Sequence, residues 1–139
     1  PVRALLFETI RYTRQENNLV YAVIDALLWR LLRERRSVVY DAVNLSEQRR
    51  RGLRMLALNA GARPLTILTT APEYTIWLRL AARKETLVER GDSEADWEVY
   101  QKLVPRAERE AHQHILVDTN QDIGPTLDEI VRQIELAGP

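Results

Sequence analysis

The chain has 139 residues, enough for one domain around a single ordinary core. Hydrophobic residues at 45% and charged residues at 29% are the proportions of a globular protein and exclude a disordered one. Formal net charge is zero, which argues against a general electrostatic grip on nucleic acid, and the lack of cysteine excludes disulfides, thiolate catalysis and cysteine zinc sites.

No apolar run approaches a membrane span, and no basic region followed by an apolar stretch opens the chain. A cytoplasmic protein is expected. Of the cations only Lys84 and Lys102 are lysines; the other eighteen are arginines. Arginine offers planar, two-pronged contacts to phosphate and carboxylate, although coding bias alone would give the same enrichment.

Thr13-Arg14-Gln15-Glu16 has the form of a capping box and predicts a helix start. Apolar residues then dominate from Leu19 to Leu32, interrupted by Asp25 and Arg30. The cluster Arg33 to Arg36 suits the negative end of that helix. Ser37 to Tyr40 is β-branched and aromatic and predicts a short buried strand ending at Asp41. A second helix is predicted from Ser46 to Ala60, stopped by Gly61.

Pro64 to Thr70 reads as the next strand, and Pro72 opens a helix through Trp77 and Leu80 to about Thr86. Val88 to Asp92 is polar and reads as a loop. Ser93 to Asp96 has the form of a helix start, and Pro105 interrupts the segment after it. His114 to Val117 predicts a third strand ending at Asp118. Gly124-Pro125 opens a last helix, apolar at Leu127, Ile130, Val131 and Ile134, which Gly138 ends.

Continuous apolar strands between helices mean an α/β fold with a parallel sheet covered on both faces. Such sheets place their ligand crevice at the carboxyl ends of the strands. That rule selects Asp41 with Asn44, Thr69 with Thr70, and Asp118 with Thr119.

The motifs also resemble a known family. Val38-Val39-Tyr40-Asp41-Ala42-Val43-Asn44, followed by Arg50 and Arg51, is similar to the strand ending in Asp-Ala-Thr-Asn of small P-loop kinases. That group includes polynucleotide kinases, zeta toxins and many bacterial kinases known from sequence. Arg79 and Arg83 resemble its lid-helix arginine pair. Arg90 to Tyr100 resembles its Ser-Asp-Ala segment leading into a Val-Tyr helix. Val117-Asp118-Thr119 looks like its last strand beside the nucleotide base, and Pro1-Val2-Arg3 like the end of an Asp-x-x-Arg motif. The likeness spans the chain in order, with Val43 in place of the usual threonine.

One departure is large. No Gly-x-x-x-x-Gly-Lys-Ser/Thr phosphate loop occurs in the sequence. That loop supplies backbone amides, a lysine and a Mg²⁺-binding hydroxyl. In the family its strand lies between those ending here at Asp41 and Thr70, so two strands would face each other with unpaired amides. Each orphan costs about 1–3 kcal/mol. The expectation is a single domain over 1–139 that forms the C-terminal two-thirds of a three-layer, P-loop kinase-like sheet with helices on both faces. Its lid lies around 73–104, and its first two strands are missing or supplied from elsewhere. The start inside a motif, without Met, favours a fragment; a second copy completing the sheet or a rearranged sheet are the alternatives.

The resemblance implies an ATP- and Mg²⁺-dependent phosphotransferase acting on a small-molecule or polynucleotide hydroxyl, inactive without the phosphate loop. It implies catalytic roles for Asp41, Arg79 and Arg83, a nucleotide-base environment at Asp118 and Thr119, and substrate contacts from Arg3 and Asn44. The competing readings are a solvated strand-end acid for Asp41, helix capping for Asn44, solvated helix arginines and a turn at Asp118. A degenerate, non-catalytic module that dimerises or binds a partner is the alternative function. Nucleic-acid binding through Arg49, Arg50, Arg51 and Arg54 is disfavoured by the neutral charge, except for a polynucleotide end as acceptor. Glu89, Asp92, Glu94, Asp96 and Glu98 fit no calcium loop and read as a hydrated lid. His112 and His114 lack a third ligand, so no metal site is expected.

Overall fold

The computed structural model describes residues 2–86 and 96–136. The elements run α1 (Val2–Leu6), α2 (Arg14–Arg33), α3 (Glu47–Asn59), β1 (Ile67–Thr70), α4 (Glu73–Thr86), α5 (Trp97–Leu103), a 3₁₀ turn (Val104–Arg106), β2 (Ile115–Asp118) and α6 (Gly124–Leu136). By backbone proximity they divide into two compact units, residues 1–43 with 48–64, and residues 44–47 with 65–139.

In the first unit the helix signals are realised almost as written. Thr13 caps α2 by accepting from the Glu16 amide at 3.2 Å. The Glu16 side chain departs from the box. Both its oxygens accept from the Arg11 amide at 3.1 Å, two residues ahead of the cap, and one also receives the Arg3 guanidinium at 3.2 Å. Glu16 is 8% exposed, so these donors compensate the burial of its charge. Val20, Leu28 and Ala60 are the buried apolar residues here.

Asp25, which interrupts the apolar face of α2, meets Arg49 of α3 in a two-pronged pair with both bonds at 2.7 Å. Arg49 also stacks 4.7 Å from the centre of the Tyr21 ring. The Asp25 hydrogen bond raises the Arg49 pKa, desolvation opposes it, and a hydrogen bond to Tyr40 adds to the rise. Arg49 is therefore a structural cross-tie between α2 and α3.

Both helices end in the same hydrogen-bond motif. After α3, Gly61 (φ +80°) donates to Leu58 and Ala62 donates to Ala57. After α2, Arg35 (φ 58°) donates to Leu32 and Arg36 donates to Leu31. The second closure puts an arginine where the left-handed backbone favours glycine.

The expected strand over Ser37 to Tyr40 is not formed. Residues 36–46 carry no helix or strand assignment, and Val39 is 95% exposed. A strand is completed by a neighbour rather than by its own residues, and among the described residues none forms a ladder with Ser37 to Tyr40. Apolar composition alone does not fix it.

The second unit contains the sheet. β1 and β2 are parallel, in register from Ile67 opposite Ile115 to Thr70 opposite Asp118. The α/β class stands, with two strands rather than the three expected. Val117 and Ile130 of α6 are its buried apolar residues, whereas Ile67 and Leu68 of β1 stay 44% and 39% exposed. Pro72, expected at the first helical position, lies one residue ahead of α4, and its carbonyl accepts from Ile76. Asp96 caps α5 by accepting from Val99 at 2.9 Å, and Pro105 turns the chain into the 3₁₀ segment. Among the described residues no helix is long and apolar enough to cross a membrane. Gly138, the expected stop of α6, lies outside the described residues.

Replacing Arg35 with glycine removes the steric cost of the left-handed backbone but adds unfolded-state entropy. Arg35→Gly is expected to stabilise by about 0.5–1 kcal/mol in urea unfolding. A loss of stability would show that the arginine side chain outweighs its backbone strain.

Candidate functional site

The site lies at the carboxyl ends of the two parallel strands, within the second unit. In register, Thr70 and Asp118 are the last residues of β1 and β2. Thr119 follows and is tied back to the neighbouring strand twice. Its amide donates to the Thr70 carbonyl at 2.8 Å and its hydroxyl donates to the same oxygen at 3.0 Å. The threonine side chain thereby extends the ladder one step beyond the strands.

On its other side Thr119 receives α4. The Arg79 guanidinium donates from one terminal nitrogen to the Thr119 hydroxyl at 2.8 Å and from the other to the Thr119 carbonyl at 2.6 Å. One helical turn earlier, the Thr75 hydroxyl donates to the Asn120 side-chain oxygen at 2.8 Å. Thr75 and Arg79 are four apart and share a helix face, so this face of α4 is fastened to the turn after β2 at two points.

Asp118 organises that turn. One carboxylate oxygen accepts from the Asn120 amide and the other from the Gln121 side chain, both at 2.9 Å, while the Gln121 amide closes onto the Asp118 carbonyl. Around these residues lies an open cleft of about 280 Å³, lined by Thr69, Thr70, Ala71, Ile76, Arg79, Leu80 and Thr119. Its walls are mainly apolar, with hydroxyls and one guanidinium as polar features.

Of the residues selected from sequence, Arg79, Asp118 and Thr119 come together here. Arg83 lies one turn beyond Arg79 on α4 and is exposed. Asn44 adopts a left-handed backbone (φ 40°) three residues before α3, a conformation that asparagine tolerates. Asp41 is exposed in the first unit. Arg3 is also in the first unit, its guanidinium engaged by Glu16, by Asn17 at 2.5 Å and by the Tyr12 ring face at 4.8 Å. The lid residues Glu89, Arg90, Asp92 and Glu94 lie outside the described residues. His112 sits 3.6 Å from the Glu47 carboxylate, and His114 contacts the His112 carbonyl at 2.8 Å. Among the described residues no group of three or more acidic, histidine or cysteine side chains is arranged to hold a metal.

Sequence reasoning missed Thr75 and Asn120. The available signal was the spacing of Thr75 and Arg79 on one helix face and the two polar side chains directly after Asp118.

A mixed helix and parallel-sheet fold with its crevice at the carboxyl ends of the strands is the setting of nucleotide-binding α/β proteins. A family model described as an AAA domain matches residues 2–109, most of the chain, and the chain belongs to that family. In the broad sense it is a P-loop NTPase-like, kinase-like module. No curated protein and no solved structure matches it.

The family typically takes ATP with Mg²⁺, and the cleft fits one end of such a ligand. At about 280 Å³ it falls just below the usual span for small-molecule sites, about 300–1,000 Å³. Ala71, Ile76 and Leu80 with neighbouring threonines suit a flat ring with hydrogen-bonding edges. A triphosphate with its metal needs a cradle of amides, a lysine and a metal-binding hydroxyl. Among the described residues lining the cleft, Arg79 is the one cation. The residues present fit the ring end; for the phosphate end they supply one guanidinium, Arg79, and not the amide cradle, the lysine or the metal-binding hydroxyl.

Asp118→Ala leaves the Asn120 amide and the Gln121 side chain without their acceptor. Amide exchange at Asn120, in protein without ligand, is expected to accelerate about tenfold, with Asp118→Asn intermediate. Unchanged exchange would remove Asp118 from its turn-holding role.

Proposed function

We propose that the chain is the crevice-and-lid portion of an ATP-dependent phosphotransferase of the small P-loop kinase type, acting on a small-molecule or polynucleotide hydroxyl. One observation carries this reading: an arginine of the helix after β1 is fastened at the carboxyl ends of two parallel strands, beside an open, ring-sized cleft.

Bound ATP with Mg²⁺ would supply the transferable phosphoryl group. The chain's own residues supply surroundings for it. Ile76 and Leu80 give the ring an apolar wall and keep water from one side of it. Arg79 brings a fixed positive charge to the cleft, and Arg83 adds a second on the same stripe of α4. Fixed charge is what phosphoryl transfer requires, because its catalysis is mainly positioning and neutralisation. The family resemblance assigns Asp41 and Asn44 to the acceptor or metal side, Arg3 to the acceptor phosphate, and Asp118 with Thr119 to the base side. This is the narrower resemblance to polynucleotide kinases and zeta toxins.

The cleft lining, mainly apolar with Arg79 as its one cation among the described residues, favours a second reading, a nucleotide-binding module without turnover. Transfer of the terminal phosphate of labelled ATP to hydroxyl acceptors, including 5′-hydroxyl oligonucleotides, separates the two. Under the first reading, in a protein that joins these residues to a phosphate loop, Arg83→Ala lowers transfer about 100-fold while leaving the melting temperature nearly unchanged. Equal transfer by the variant would eliminate the lid-arginine role, and nucleotide binding without transfer would favour the second reading.

A further inference from the structure

The family resemblance makes Thr119 a neighbour of the nucleotide base, but its hydrogen bonds describe a different task. A threonine hydroxyl has one proton to donate. Here that proton goes to the Thr70 carbonyl at 3.0 Å, and the same hydroxyl oxygen accepts from Arg79 at 2.8 Å. The Thr119 carbonyl takes the second terminal nitrogen of Arg79 at 2.6 Å, and its amide is held by Thr70 at 2.8 Å. To donate a hydrogen bond to a ligand, the hydroxyl would have to leave Thr70.

Arg79 stands in the opposite condition. A guanidinium has five N–H donors in one plane. Two of them, on different nitrogens, are spent on Thr119, which fixes the plane of the group. Among the described residues the other three make no hydrogen bond, and Arg79 lines the open cleft. Thr75 and Asn120 hold the helix beneath it independently, so orientation of the guanidinium does not rest on helix docking alone. Free arginine side chains lose substantial rotamer entropy when they grip an anion. One already clamped in its plane loses less.

We infer that Thr119 is a positioning residue for Arg79: it holds the guanidinium, by its hydroxyl and carbonyl, so that the remaining donors meet the phosphate chain of a nucleotide, and it does not itself contact the base. This inference rests on the nucleotide reading above. It differs from it in assigning Thr119 to the phosphate end of recognition through another side chain.

The two assignments separate by ligand. Calorimetry with adenosine and with ATP compares a ligand that has only the ring and sugar with one that carries phosphates. Thr119→Val keeps the shape but loses the hydroxyl acceptor. It is expected to weaken ATP about fivefold, the worth of one ordinary hydrogen bond, and to leave adenosine within about twofold. Thr119→Ser is expected to restore ATP affinity, and Arg79→Ala to abolish the difference between Val and Thr at position 119. Equal weakening of adenosine and ATP by Thr119→Val would overturn the inference and return Thr119 to the base. Loss of ATP affinity in Arg79→Ala with none in Thr119→Val would also overturn it, while leaving the nucleotide reading intact. ATP affinity unmoved by Arg79→Ala would overturn the inference alone, and ATP affinity absent from the unaltered protein would overturn both.

Discussion

The carbonyl of Thr70 is the point on which the site depends. It accepts two hydrogen bonds from a single residue across the sheet, the amide and the hydroxyl of Thr119. Without that closure the residue after β2 would be an ordinary turn residue, free to rotate away from the strands. With it, Thr119 becomes an extension of the ladder, and α4 can be fastened to it through Arg79. Sheet, turn and helix thus share one short chain of donors and acceptors. The cleft is the space left between its members.

The same economy is visible in the first unit. Glu16 accepts from the Arg11 amide and from Arg3, and Asp25 grips Arg49 with both oxygens. In each case a carboxylate of α2 is a tie to another segment. Paired, hydrogen-bonded charges of this kind fix which segments meet. They also explain part of the arginine enrichment, because a two-pronged fork does this better than a lysine. Arg49, which the sequence offered as part of a basic stripe on α3, is committed to Asp25.

Sequence reasoning reached the helices because their signals are local. Thr13, Gly61, Pro72, Asp96 and Gly124 each punctuate the chain within a few residues of the boundary they set. β1 and β2 were legible from short apolar runs that do find each other. The run over Ser37 to Tyr40 had the same composition and failed, because a strand exists only with a partner and composition carries no information about one. Within the site, Arg79 and Thr119 were both selected, one from a helix and one from a strand end. Their contact was not, since forty residues separate them. Tertiary contact recast two independent candidates as one device. Asp118 was left between a ligand role and a turn role; its two hydrogen bonds within the turn supply the second without excluding the first.

The central claim is that the carboxyl ends of β1 and β2, with the inner face of α4, form a nucleotide-binding surface. Nuclear magnetic resonance titration of the labelled protein with ATP and Mg²⁺ tests it most directly. The account predicts that amide shifts concentrate at Thr69 to Ala71, at Thr119 to Gln121 and along Ile76 to Leu80. Shifts confined to other residues, or none at saturating nucleotide, would contradict it.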